Sequence, residues 1–194
     1  MRAMTTQTIT YVTPDEYLAG ERLSESRGEY LEGVVCPMTG GSVSHILIVG
    51  NITTELTLRL RTRPCRVFPI DMKVRLPDSR KFFYPDVIVL CGEPQFHDER
   101  TDIILNPLLV IEVLSESTEA FDRGAKFLAY QTLDFLKEYV LVAQDKPVVE
   151  QYVRNEGGTW TYTLASGLGS SLTLPSVECT LNLSAVYDKV DLDS

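Results

Sequence analysis

The sequence predicts one domain of mixed α and β structure, a central mixed sheet flanked by helices. Three observations predict it. Capped or amphipathic helical segments alternate with strand-like runs along the 194 residues. Two of those runs, 87–90 and 107–114, are almost wholly apolar, as strands covered on both faces are. No repeat, low-complexity tract or linker breaks the order, and the length suits a single core.

Thr13-Pro14-Asp15-Glu16 reads as a capping box with proline at the first helical position, opening a helix to about residue 23. Residues 29–35 form a strand reaching towards Met38, and 39–42 a turn. A long helix follows over 44–61, with Ile46, Val49, Ile52, Leu56 and Leu60 on one stripe and Pro64 beyond its end. Short strands at 65–70 and 72–76 precede a turn at 77–79, a strand at 82–90 and an acidic loop at 91–106. The apolar strand 107–114 leads through 115–117 into a helix over 118–133, with Ser115 and Thr118 as caps. A strand at 138–143, a hairpin of 148–153 with 159–164, and a tail of short strands and a helical turn near 185–189 complete the chain. The expected core spans 13–153, and 148–194 forms a C-terminal hairpin extension.

Composition bounds the function. No apolar run is long enough to span a bilayer and the first residues lack the apolar stretch of a signal peptide, so no membrane partner is expected and the location expected is the cytoplasm. Cys36, Cys65, Cys91 and Cys179 lack the close pairs of a structural zinc site and are expected to be reduced. A net charge of −9 argues against sequence-blind binding to nucleic acid. One strip departs from it: Arg59 to Lys81 holds eight basic residues against Asp71 and Asp78. Such a strip fits either a phosphate backbone or a solvated helix end and hairpin.

Chemistry concentrates around two acids. Glu112 is the one charge in the apolar run Leu108-Leu109-Val110-Ile111-Glu112-Val113-Leu114. A carboxylate there loses hydration and needs a proton, an ion pair or a metal ion to compensate. Asp86 poses the same problem at the mouth of Val87-Ile88-Val89-Leu90. If the two strands are neighbours the carboxylates converge, and paired carboxylate oxygens favour magnesium or manganese over zinc. Asp122, Lys126 and Tyr130 share one helix face at i, i+4 and i+8, so Lys126 can reach the acid pair, although an exposed Asp122–Lys126 pair is the plainer reading of that spacing. His45 reads as capping or packing, His97 as solvated, and Asp71 as a turn acid.

Five stretches together resemble a known family: Glu29-Tyr30-Leu31-Glu32-Gly33-Val34-Val35, Met38-Thr39-Gly40-Gly41-Ser42-Val43-Ser44-His45, Tyr84-Pro85-Asp86-Val87, Ile111-Glu112-Val113-Leu114-Ser115-Glu116-Ser117-Thr118, and Asp122-Arg123-Gly124-Ala125-Lys126 with Tyr130. In order and spacing they resemble the Uma-two family (domain of unknown function 820), a branch of the PD-(D/E)XK restriction-endonuclease-like proteins. The resemblance implies a restriction-endonuclease-like core, with Asp86 as the acid of the PD element and Glu112 as the second acid. The lysine that usually stands two residues after the second acid is Leu114 here, and the resemblance assigns its role to Lys126. Glu29 matches a third acid that completes the metal shell, with Glu32 close enough to replace it. The implied activity is a Mg2+- or Mn2+-dependent endonuclease hydrolysing phosphodiester bonds in DNA, with homodimerisation by analogy, the hairpins of 148–183 being one place for a dimer edge.

Two other readings stay open on the sequence. One is a degenerate nuclease fold that binds a partner without catalysis, which Leu114 and the acidic charge favour. The other is a metal-independent hydrolase using Asp86 and Glu112 as acid and base, for example on a glycoside. The chain holds no G-x-G-x-x-G, P-loop or G-x-S-x-G, which removes support for nucleotide-cofactor enzymes and serine hydrolases.

Overall fold

A computed structural model describes residues 11–38, 40–78 and 80–192. Residues 1–10, on which the expected absence of a signal peptide rests, and Thr39 and Ser79 of the two expected turns, lie outside the described residues. Helix α1 (Pro14–Glu21) opens on the expected capping box: Thr13 accepts from the Glu16 N–H, and the Glu16 carboxylate accepts from the Thr13 N–H. The strand expected over 29–35 is instead a hairpin of β1 (Gly28–Leu31) and β2 (Val34–Pro37). Glu32 and Gly33 turn it with φ of 48° and 100°, the double positive-φ geometry that matches strand twist.

Helix α2 (Val43–Arg59) buries Ile48, Val49, Ile52 and Leu56, while Ile46 of the expected stripe faces solvent. β3 (Cys65–Pro69) and β4 (Lys73–Arg75) enter different sheets, separated by Ile70 and Asp71 at positive φ. The strand expected over 82–90 is likewise divided between sheets, into β5 (Lys81–Phe83) and β6 (Val87–Cys91). Pro85 lies between them and has no N–H to continue a ladder. After β7 (Ile103–Ile104) and β8 (Leu109–Leu114) comes one helical segment of three parts: α3 (Glu119–Phe121), a π-helical turn (Asp122–Lys126) and α4 (Phe127–Tyr130). β9 (Glu138–Ala143), the hairpin β10 (Val148–Arg154) and β11 (Trp160–Ser166), β12 (Ser171–Leu174), β13 (Cys179–Asn182) and α5 (Leu183–Val186) follow.

The expected central mixed sheet is present, and a second sheet lies in the same chain. A six-stranded mixed sheet runs β11-β10-β9-β8-β6-β3, and a five-stranded one runs β2-β1-β5-β4-β7, with β12 and β13 as a separate pair. In the larger sheet β6 lies antiparallel to β8, as convergence of Asp86 and Glu112 requires, and β8 lies parallel to β9 across the helical segment. Alternate residues of β8 face opposite layers: Leu109, Ile111 and Val113 meet α2 and the C-terminal residues, while Val110 and Leu114 meet Phe127 and Tyr130. The sheet thus lies between two helical layers, the arrangement of the restriction-endonuclease-like fold. Among the described residues no helix is long and apolar enough to cross a membrane.

The expectation of four reduced cysteines is corrected at β3 and β6. Cys65 and Cys91 are bonded as a disulfide, and Cys36 and Cys179 are free. The antiparallel register sets Cys65 directly opposite Cys91, a juxtaposition their 26-residue separation hides in the sequence.

Candidate functional site

Strand parity aims Glu112. It shares the β8 face of Val110 and Leu114, so its side chain points towards the helical segment on that side of the sheet. The usual lysine position, Leu114, is filled by a side chain buried among Phe127, Tyr130 and their neighbours. The lysine arrives from across the layer. Lys126 Nζ lies 2.9 Å from Glu112 Oε1, 3.0 Å from Glu29 Oε1 and 3.5 Å from Asp122 Oδ1, with the Phe83 ring 5.6 Å away. The π-helical turn holds Asp122 and Lys126 together on the buried side of the segment, so the i, i+4 pair is a buried cluster and not the exposed pair its spacing also allowed. Thr118, expected as a cap, makes no capping hydrogen bond; its hydroxyl lies 3.0 Å from Ser115 Oγ.

Glu29 comes from β1, where its Oε1 also accepts from the Tyr84 N–H at 3.0 Å. Tyr84 is two residues before Asp86, so β1 and the stretch after β5 deliver both acids to one place. Glu32 turns outward and pairs with Lys81 at 2.9 Å, so it does not stand in for Glu29. Asp86 is held from two sides: Oδ2 accepts from the Val113 N–H at 2.7 Å, and Oδ1 lies 2.9 Å from His45 Nε2. Val113 directly follows Glu112, which links the two acids through the β8 backbone. His45, read from the sequence as capping or packing, lies against Asp86 instead. Ser42 supplies the α2 cap, accepting from the His45 N–H, and frees the imidazole for Asp86. The signal was its place in the Met38–His45 stretch, close to Asp86 only once α2 is docked.

The electrostatics follow from burial. Loss of solvent pushes the Glu112 carboxyl well above its ordinary value; Lys126 opposes this, while Asp122, Asp86 and Glu29 add to it. Burial also works against the Lys126 ammonium, but Glu112, Glu29, Tyr130 and Asp122 outweigh it and hold its pKa well above normal. Asp122 is raised, first by burial and against the pull of Lys126. Burial lowers His45, yet its hydrogen bond and charge contact with Asp86 leave it raised. Four carboxyl groups therefore share one ammonium and one imidazole, and the cluster holds more negative than positive charge unless protons or a cation balance it.

Hard oxygen donors with surplus negative charge suit magnesium or manganese, so the residues fit such an ion in charge and donor type. Among the described residues no group of three or more His, Cys, Asp and Glu side chains is arranged to hold a metal ion. Lys126 accounts for part of this, since its ammonium takes the space between Glu29 and Glu112.

The other singled-out residues fall outside. Asp71 is exposed and paired with Arg27 at 3.2 Å. His97, expected in solvent, has Nδ1 2.7 Å from Arg75 Nη1 and its ring edge-on to Phe82. Four of the strip's eight basic residues are held in ion pairs: Arg59 with Glu55, Arg63 with Glu178, Lys73 with Asp102, and Lys81 with Glu32 and Asp78.

Comparison with known proteins agrees with this architecture. A protein from Anabaena variabilis ATCC 29413, titled a "putative nuclease belonging to DUF820", has the same fold, with a TM-score of 0.74 and 18% identity, covering 91% of this chain and 97% of that one. Two proteins of Synechocystis sp. (strain ATCC 27184 / PCC 6803 / Kazusa) are similar in sequence. Protein sll1609 is 34% identical over 164 residues, 84% of this chain and 93% of its own. Protein slr1290 is 32% identical over 176 residues, 91% of each. The family model described as "Putative restriction endonuclease" matches residues 14–185, nearly the whole of the chain, which therefore belongs to the Uma2 family.

Proposed function

We propose that the protein is a divalent-metal-dependent endonuclease that hydrolyses phosphodiester bonds, with DNA as its substrate. The observation that carries this is the buried cluster of Glu29, Glu112 and Lys126 beside Asp86, in a chain of a family described as "Putative restriction endonuclease". Asp86 and Glu112 are the residues to hold Mg2+ or Mn2+, with Glu29 as the third acid. The ion would supply Lewis-acid polarisation of the scissile phosphate and a lowered pKa for attacking water. The chain's own groups do the remaining work. The Val113 N–H and His45 hold the Asp86 carboxylate in one orientation. The Tyr84 N–H does the same for Glu29. Lys126, charged throughout the physiological range, orients the water or stabilises the charge that grows on the phosphate oxygens. A partner-binding relic of the fold is a weaker reading, because Lys126 brings an ammonium to 2.9 Å from Glu112 although Leu114 stands at the usual lysine position.

Calorimetric titration of Mn2+ into wild type, Asp86→Ala and Glu112→Ala tests the site. Binding in wild type that both substitutions abolish, with metal-dependent cleavage of DNA lost in step, is the expected result. No binding, or binding unaffected by both changes, would overturn the mechanism.

A further inference from the structure

The six-stranded sheet has two outer strands, β3 and β11. β3 follows Pro64 and carries Arg66 and Pro69, and such charge and proline keep an edge from pairing with another chain. β11 carries neither. Trp160–Ser166 stands inside a run, 157–177, that contains no Asp, Glu, Lys or Arg at all, in a chain with net charge −9. Tyr162 and Leu164 on this strand are each 51% exposed, with Leu168 just beyond it at 47%.

The hairpin sets the phase of the edge. The Asn155 N–H donates to the Thr159 carbonyl at 2.8 Å, making these two a hydrogen-bonded pair. Counting along the register with β10, Thr161, Thr163 and Ala165 turn their backbone groups inward. Trp160, Tyr162, Leu164 and Ser166 turn theirs outward.

We infer that β11 is a self-association edge, on which a second copy of the chain pairs its own β11 antiparallel with Thr163 on the two-fold axis. In that register Tyr162 faces Leu164 of the second copy, twice over, and each pair exchanges two N–H···O bonds. The two exposed apolar side chains of each copy are then covered by the other's. Thr163 faces itself in a non-hydrogen-bonded pair. A second copy is the occupant for two reasons. An antiparallel edge is complementary to itself. Two acidic molecules also repel each other least where neither carries charge. The guarded β3 edge disfavours head-to-tail growth into fibres. None of this depends on nuclease activity.

Sedimentation velocity on the full chain tests it. Wild type is expected at twice the 21.8 kDa chain mass. Thr163→Lys, which sets two ammonium groups face to face, and Leu164→Asp are each expected at the single mass with unchanged far-UV circular dichroism. In a Cys36→Ser background, Thr163→Cys is expected to form an intermolecular disulfide under mild oxidation, because a non-hydrogen-bonded pair places the Cα atoms about 4.5 Å apart. Ser166→Cys in the same background is not expected to cross-link. A monomeric wild type at micromolar concentration, a dimer that survives both substitutions, or a dimer that Thr163→Cys does not cross-link would overturn the proposal.

Discussion

Lys126 has almost no contact with solvent, and three carboxylates surround its ammonium. Removing one member of such a cluster leaves the rest uncompensated, so these residues are bound to one another by charge whether or not a metal joins them. A second charged group, of Arg22, Lys73 and Asp102, permits a cleaner test. Asp102 receives two hydrogen bonds from Arg22 and pairs with buried Lys73 at 3.2 Å. Burial raises the Asp102 carboxyl, but Arg22 and Lys73 win and lower its pKa from 3.8 to about 2. A depressed carboxylate contributes stability above its unfolded pKa and loses it as pH falls through the folded value. Asp102→Asn is therefore expected to cost about 1–2 kcal/mol at neutral pH, solvent screening included. The gap from wild type in urea denaturation should shrink between about pH 4 and pH 2. A gap that stays constant over that range would refute the assignment.

Among the elements, β3 and β6 matter most to the site, because β6 starts one residue after Asp86. The Cys65–Cys91 disulfide joins these two strands at the end opposite Asp86, where Pro69 pairs with Val87. Closing a loop of this length removes unfolded-chain entropy worth about 3 kcal/mol. Reduction is therefore expected to lower the melting temperature without altering the fold. Thiol titration of the denatured, unreduced protein should find two free cysteines, rising to four after reduction. Four without reductant would show the pair to be unbonded.

At the scale of the whole molecule, the C-terminal residues close a core begun by α2. Leu172, Leu174, Val177, Leu181, Leu183 and Val186 pack with Ile48, Ile52 and Leu56 and with the outer faces of β6 and β8. Glu138, buried at the start of β9, accepts hydrogen bonds from Gln151 and Ser176 and fastens that segment to the sheet. A chain ending at residue 170 would expose this apolar layer, and it is expected to be insoluble or to lack a cooperative thermal transition. A soluble truncated chain that melts cooperatively would show that the C-terminal residues are dispensable for folding.

Local signals were enough for much of this protein. Thr13 to Glu16 announced α1 through side-chain groups within one turn, and the apolar runs announced β6, β8 and β9 because covered strands need apolar residues on both faces. Glu112 and Asp86 were legible for the same reason, as charges where hydration is lost; the helix face put Lys126 within reach of them, and family resemblance pointed to Glu29. Tertiary structure decided everything that depends on which segments meet. It split 82–90 at Pro85 between two sheets, turned 29–35 into a hairpin at Glu32-Gly33, and set Cys65 opposite Cys91. It also brought His45 onto Asp86 and drew four residues of the basic strip into ion pairs. The disulfide and the His45–Asp86 contact join residues far apart in the chain, and side-chain periodicity records which face of an element is buried but not what lies against it.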